Sequence, residues 1–162
     1  MSAAATEQDT RTPTRIVVGF DPTGRLLSDA VTSTLTAHGV AFDLADGSGE
    51  ADYPDIAVDA CRRVAAGGLH SAILVCGTGL GMSITANKVH GIRAARCTDT
   101  YSVEKARRNS DANVLALGAE VTTPALAAML VTTWLSHSFD SDRSRPKLRK
   151  IALLETTGGL RG

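Results

Sequence analysis

Short runs of β-branched and aliphatic residues alternate with helical apolar periods along most of the chain, the pattern of a parallel sheet with crossover helices. Ile16-Val17-Val18-Gly19-Phe20 predicts a first strand, and Asp21-Pro22-Thr23-Gly24 a turn after it. Leu27, Val31 and Leu35 then recur at helical spacing until His38-Gly39 stops the period, which predicts an amphipathic helix. Ala41 to Leu44 predicts a short second strand, and Asp46-Gly47-Ser48-Gly49 a loop. Pro54 stands where the first turn of a helix tolerates it, and Ile56, Ala57, Ala60, Cys61 and Val64 repeat on one face before Gly67-Gly68. Cys61 is therefore expected in the core.

Ser71-Ala72-Ile73-Leu74-Val75 is too apolar for a strand with one wet face and predicts a central strand covered on both sides. It delivers the chain into Cys76-Gly77-Thr78-Gly79-Leu80-Gly81. The alternation continues with a helix over Met82 to Lys88, a strand over Ile92 to Ala95, a helix over Ser102 to Arg108 and a strand over Val114 to Leu117. Leu126, Met129, Leu130 and Trp134 form a further helical stripe. A last helix over Asp142 to Glu155 carries Arg143, Arg145, Lys147, Arg149 and Lys150. The expected organisation is a single α/β domain over residues 15–157, with a disordered arm at 1–14 and a flexible tail at 158–162.

Composition narrows the function classes. The chain has 162 residues, 43% of them apolar, enough for the core of one ordinary domain. Seventeen Lys and Arg offset seventeen Asp and Glu, which argues against nucleic acid and against a charged membrane surface as partners. An aromatic content of 4% leaves few faces for stacking bases. Apolar runs such as Ala72 to Cys76 fall far short of the ~20 residues a spanning helix needs, and Met1 to Pro13 lacks the hydrophobic centre of a secretory signal. Cys61, Cys76 and Cys97 form no C-x-x-C pair, so they read as reduced thiols of a cytoplasmic protein rather than as a bridge or a metal site.

Ligands of open parallel sheets bind beyond the carboxyl ends of the strands, which singles out Asp21, Cys76 to Gly81, Cys97 to Thr100 and Gly118. Gly77, Gly79 and Gly81 let backbone N–H groups approach an anion, so the loop reads as an anion or oxyanion site or as a tight strand-to-helix turn with no ligand. The G-x-G-x-x-G spacing of a dinucleotide loop is not met. Cys76 sits where a thiol becomes a base or nucleophile, and equally where a small core residue ends a strand. His38, His70, His90 and His137 do not follow strands, so nothing recommends a cysteine hydrolase. Cys97 reads as a packing residue, and the basic run from Arg143 to Lys150 would by itself be a solvated helix face.

Cys76-Gly77-Thr78-Gly79-Leu80-Gly81-Met82-Ser83-Ile84, followed by Ala86-Asn87-Lys88 and Gly91-Ile92-Arg93-Ala94, resembles the signature of the ribose-5-phosphate isomerase B and galactose-6-phosphate isomerase family. Gly19-x-Asp21-x-x-Gly24, Asp52-Tyr53-Pro54, Tyr101-Ser102 and Asn113-Val114-Leu115-Ala116-x-Gly118 extend the resemblance over Arg15 to Ile151. It implies a Rossmann-like three-layer αβα sandwich with a five-stranded, mostly parallel sheet. It also implies a homodimer or dimer of dimers with shared active sites, and aldose–ketose isomerisation of a sugar phosphate without metal or organic cofactor. For Cys76 the resemblance implies the role of general base, and for Thr78 with the amides of Gly77, Gly79, Leu80 and Gly81 a cradle for the enediolate oxygen. Asp21, Tyr53, Asn109 and Ser110 fall at substrate-contact positions, and Arg143 and Lys147 at phosphate-binding ones.

The departures bear on the substrate. Pro22 stands where the pentose and hexose isomerases usually carry His, Asn109 where they carry a ring-opening His, Ser110 where Asn is usual and Lys147 where a second Arg is usual. A tetrose 4-phosphate cannot close a furanose ring and needs no ring-opening group. Asp99-Thr100-Tyr101-Ser102 further resembles the erythritol-pathway branch of the family, which also lacks that His. The expected activity is therefore a tetrulose/tetrose 4-phosphate isomerase. Ribose 5-phosphate isomerisation is the alternative, and a non-catalytic partner subunit or sugar-phosphate binding module a second one.

Overall fold

The apolar run from Ser71 to Cys76 forms the third strand, and all six of its residues are buried. A computed structural model describes residues 14–45 and 50–160; the expected arm, apart from Thr14, the loop Asp46-Gly47-Ser48-Gly49 and the last two residues of the tail lie outside the described residues. The strands are β1 (Arg15–Phe20), β2 (Ala41–Leu44), β3 (Ser71–Cys76), β4 (Ala94–Arg96) and β5 (Val114–Gly118). They form one sheet in the order β2-β1-β3-β5-β4, with every pairing parallel. The mostly parallel sheet expected is thus parallel throughout its described pairings.

Side chains alternate across such a sheet, and the two faces bury separate cores. Ile16, Val18, Ile73, Val75, Leu115 and Leu117 face α1 (Ser28–Ala37), α4 (Thr100–Arg108) and α5 (Pro124–Ser136). Val17, Ala72, Leu74, Cys76, Val114 and Ala116 face α2 (Tyr53–Ala65) and α3 (Leu80–Ala86). The result is a three-layer αβα sandwich. The expected stripe of α2 is buried as predicted, Cys61 with it, and burial pushes the Cys61 thiol up to about 12.

Local chemistry fixes where the helices begin. Thr123 caps α5 by accepting from Leu126 N–H at 3.2 Å, and Pro124 opens the helix. Asp99 caps α4 by accepting from Ser102 N–H at 2.7 Å and from the Ser102 hydroxyl at 2.7 Å, and these bonds hold its carboxyl below the usual range. β4 begins two residues later than the Ile92 expected, because Ile92 is held in the preceding turn by a bond to the Val89 carbonyl at 3.1 Å. The last helix opens as a 3-10 turn over Asp142–Ser144 and continues as α6 (Arg145–Thr157), which buries none of its own residues.

The turn after β1 is tied directly to the central strand. Asp21 N–H donates to the Val75 carbonyl at 3.1 Å, and Gly24 N–H to Asp21 Oδ1 at 2.6 Å. A Cβ on Gly24 would collide with the Val75 carbonyl, so only glycine fits there. Gly24→Ala is expected to cost roughly 1–3 kcal/mol or more of stability through that overpacking. Gly68→Ala, where a Cβ meets nothing within 4 Å, should be close to neutral. Urea midpoints of the two variants against the parent check the contrast; equal midpoints would show that the β1 turn yields freely.

Candidate active site

β1 and β5 pair with β3 on its two sides, yet the helices that follow them, α1 and α5, lie on one face while α3, which follows β3, lies on the other. The chain therefore parts at the carboxyl end of β3, the place where such sheets open a ligand crevice. Cys76 ends β3 on the α2/α3 side and is 5% exposed. Its Sγ accepts the Gly79 N–H at 3.1 Å, so one loop amide already points at the sulfur.

Glycine is required through this loop for three separate reasons. Gly79 has φ +76, in the left-handed region. An ideal Cβ on Gly81 would lie 2.6 Å from Cε2 of Tyr53, so the Tyr53 ring occupies the space that a side chain would take. Gly118, at the end of β5, admits the loop from the other side, since a Cβ there would sit 2.5 Å from the Thr78 carbonyl carbon. The Thr78 hydroxyl oxygen accepts Leu80 N–H at 3.3 Å, which leaves the hydroxyl proton free to donate.

At this end of the sheet the structure brings together Asp21, Tyr53, Cys76, Gly77, Thr78, Gly79, Leu80 and Gly81. Asp21 is partly engaged already, because its Oδ1 serves the Gly24 N–H. Two charged residues that sequence reasoning passed over join them. Arg96, the last residue of β4, donates from Nε to the Thr78 carbonyl at 3.0 Å. Glu120, just past β5, holds its carboxylate over Gly77, where an ideal Cβ would lie 3.1 Å from Oε2. Their positions at strand ends are the signal that marks them; no local motif does.

The remaining predicted residues lie elsewhere in the chain. Asn109 and Ser110 follow α4 on the way back to the start of β5, with their N–H groups bonded to the Lys105 carbonyl at 2.9 and 3.3 Å. Arg143, in the 3-10 turn, and Lys147, in α6, are exposed. α6 is tethered through Glu155, which accepts Gly91 N–H at 3.1 Å, just before the amino end of β4. Within one chain no described contact joins these four residues to the Cys76 loop.

The other thiols differ in setting. Cys97 is buried on the opposite face, and burial, with Asp99 adding to it, pushes its thiol up to about 11. No helix among the described residues is long and apolar enough to cross a membrane.

The family model for Ribose/Galactose Isomerase matches residues 16–151. A protein of Pectobacterium atrosepticum named D-erythrulose-4-phosphate isomerase is 42% identical over 143 residues, 86% of this chain and 94% of that one. Ribose-5-P isomerase B of Listeria innocua is 40% identical over 136 residues, 83% of this chain and 92% of that one. The structure of Clostridium thermocellum ribose-5-phosphate isomerase B superposes with a TM-score of 0.85 at 37% identity, covering 90% of this chain and all of the other. With the αβα sandwich, the loop after β3 and a match spanning almost the whole described domain, the chain belongs to the Ribose/Galactose Isomerase family and is an enzyme of the aldose–ketose isomerase type.

Proposed function

We propose that this enzyme interconverts a tetrulose 4-phosphate and the corresponding tetrose 4-phosphate, with Cys76 as the base. The observation that carries the mechanism is the Cys76 Sγ at the crevice, bonded to Gly79 N–H at 3.1 Å and next to a Thr78 hydroxyl with a proton to give. In the forward direction the thiolate takes a proton from C1 of the ketose. Charge then spreads over an enediolate, stabilised by the Thr78 hydroxyl and the amides of Gly77 to Gly81. The thiol returns the proton to C2, and the hydroxyl proton passes from the C1 oxygen to the C2 oxygen, so the carbonyl moves from C2 to C1 with no net loss of atoms or electrons. The steps call for no metal and no organic cofactor.

Two features support the four-carbon substrate. Asn109 stands where the family resemblance puts the ring-opening His, and an amide does not titrate near neutrality. A tetrose 4-phosphate is open-chain because its terminal oxygen is esterified, so the missing group costs the reaction nothing. The named activity of the Pectobacterium relative points the same way. Ribose 5-phosphate is the second reading, favoured by the Listeria relative and the Clostridium structure.

We further propose that the working unit is a homodimer or a dimer of dimers, in which Arg143 and Lys147 of one protomer hold the phosphate beside the Cys76 of its partner. What supports it is that α6 buries none of its residues and that Arg143, in the turn before it, and Lys147, within it, are exposed, while Arg96 at the carboxyl end of the sheet is occupied with the loop.

Cys76→Ala is expected to lower kcat by about 10²–10⁴-fold and to stop exchange of the C1 proton with deuterated water, while a phosphate ligand still binds. Retention of exchange would remove Cys76 from the mechanism; loss of exchange with binding intact also dismisses a mere binding module. On one preparation, kcat/KM for erythrulose 4-phosphate should exceed that for ribose 5-phosphate, and the reverse order would sink the four-carbon reading while leaving the isomerase standing. Arg143→Ala should chiefly raise KM. Mixing it with Cys76→Ala should regenerate activity, because one of the two sites in each mixed dimer then has both groups intact. Verified mixed dimers without activity would assign the site to a single chain.

A further inference from the structure

Arg96 closes β4 and crosses the carboxyl end of β5 to reach the loop after β3. Its stem lies against Gly79, where an ideal Cβ would sit 3.1 Å from Arg96 Cγ, and its Nε donates to the Thr78 carbonyl at 3.0 Å. The Thr78 carbonyl and the Gly79 N–H belong to one peptide unit, which is trans, so the two groups point in opposite directions. One end of that unit accepts from a guanidinium, and the other donates to Cys76 Sγ at 3.1 Å.

We propose that Arg96 is a positioning residue for the reaction: through the Thr78–Gly79 peptide it aims and polarises the N–H that holds the Cys76 thiolate. A cation at a carbonyl oxygen draws electron density from the amide and strengthens the N–H as a donor, so bonds in such a chain reinforce one another. Gly79 has φ +76 and no side chain, so the rotation of that peptide is set by its hydrogen bonds, by the Arg96 stem and by the wall of β5. Without Arg96 the unit loses both the bond at its carbonyl end and the stem beside Gly79, which leaves the aim of its N–H at sulfur less tightly set.

The charge balance at the crevice gives the cation its weight. Asp21 after β1 and Glu120 after β5 stand with their carboxylates at the same end of the sheet, Asp21 bonded to Gly24 N–H and Glu120 over Gly77. Tyr53 on α2 faces Gly81, Arg25 is exposed in the 3-10 turn after β1, and Cys97 and Asp99 follow Arg96 itself. Arg96 is the cation whose bond ends on the loop.

This inference rests on the reading of Cys76 as the base, and alkylation separates the two. The full-length protein is treated with iodoacetamide across a pH series, and peptide mapping follows Cys76 alone; burial keeps Cys61 and Cys97 protonated through neutral pH. In Arg96→Met the pH midpoint of Cys76 alkylation should rise by about one unit and kcat fall about tenfold, with KM changed less than about twofold. Arg96→Lys keeps the charge without the planar fork and should fall between Arg96→Met and the parent. If Arg96→Met does not fold, the shift in Arg96→Lys decides the matter. An unmoved midpoint in a folded variant overturns the positioning role, whatever happens to turnover. If instead the midpoint moves but Cys76→Ala still isomerises, the loop coupling stands and the base assignment fails.

Discussion

Everything at the active end depends on β3 being covered on both faces while its two neighbours send their helices to the side that β3 does not. A strand with six buried residues must be apolar from end to end, so the first polar backbone it can present to a ligand is at its exit. Because β1 and β5 leave for the α1/α5 layer and β3 for the α3 layer, that exit is not roofed by a crossover. Cys76 is the last residue of the buried run and the first at the opening. Its sulfur therefore has an apolar layer behind it and the Gly79 amide in front, an arrangement that no exposed cysteine on a helix provides.

The loop itself trades side chains for closeness. Gly24, Gly79, Gly81 and Gly118 each stand where a Cβ would strike a neighbouring carbonyl, a strand or the Tyr53 ring. Their effect is to let the turn after β1, the loop after β3 and the end of β5 approach one another within van der Waals contact. The Asp21 carboxylate shows what such closeness demands: one oxygen is used to hold Gly24 N–H at 2.6 Å, so any role toward a substrate falls to the other.

Periodicity made most of the sandwich legible before any coordinates, because burial writes itself into spacing. The α2 stripe and the two-faced β3 are local signals with local causes. β4 was misplaced because it is three residues long with no fully buried position, so the neighbouring Ile92, which is buried in a turn, outweighed it in the pattern. The Cys76 to Gly81 loop was legible as a motif. Arg96 and Glu120 were not, since each meets the loop through proximity created by strand order, and a β2-β1-β3-β5-β4 sheet brings residues together that are far apart in sequence.

Strand order also explains why the chain alone does not gather all the residues that the family resemblance points to. Asn109 and Ser110 follow a helix that returns the chain to the amino edge of the sheet, and α6 is tied there as well through Glu155 and Gly91. A loop on that edge cannot bend round to the carboxyl edge without unpairing β5 or β4. A helix of thirteen residues with none buried is nevertheless a poor candidate for a free surface element, because propensity alone leaves isolated helices of that length marginal. Its Ile151 and Leu154 sit exposed on the turns that follow Lys147. In the dimer proposed above, this helix laid against a second copy would give its apolar positions a partner and bring its cations to a sheet end that, within one chain, holds the carboxylates of Asp21 and Glu120 and a guanidinium already committed to the Thr78 carbonyl.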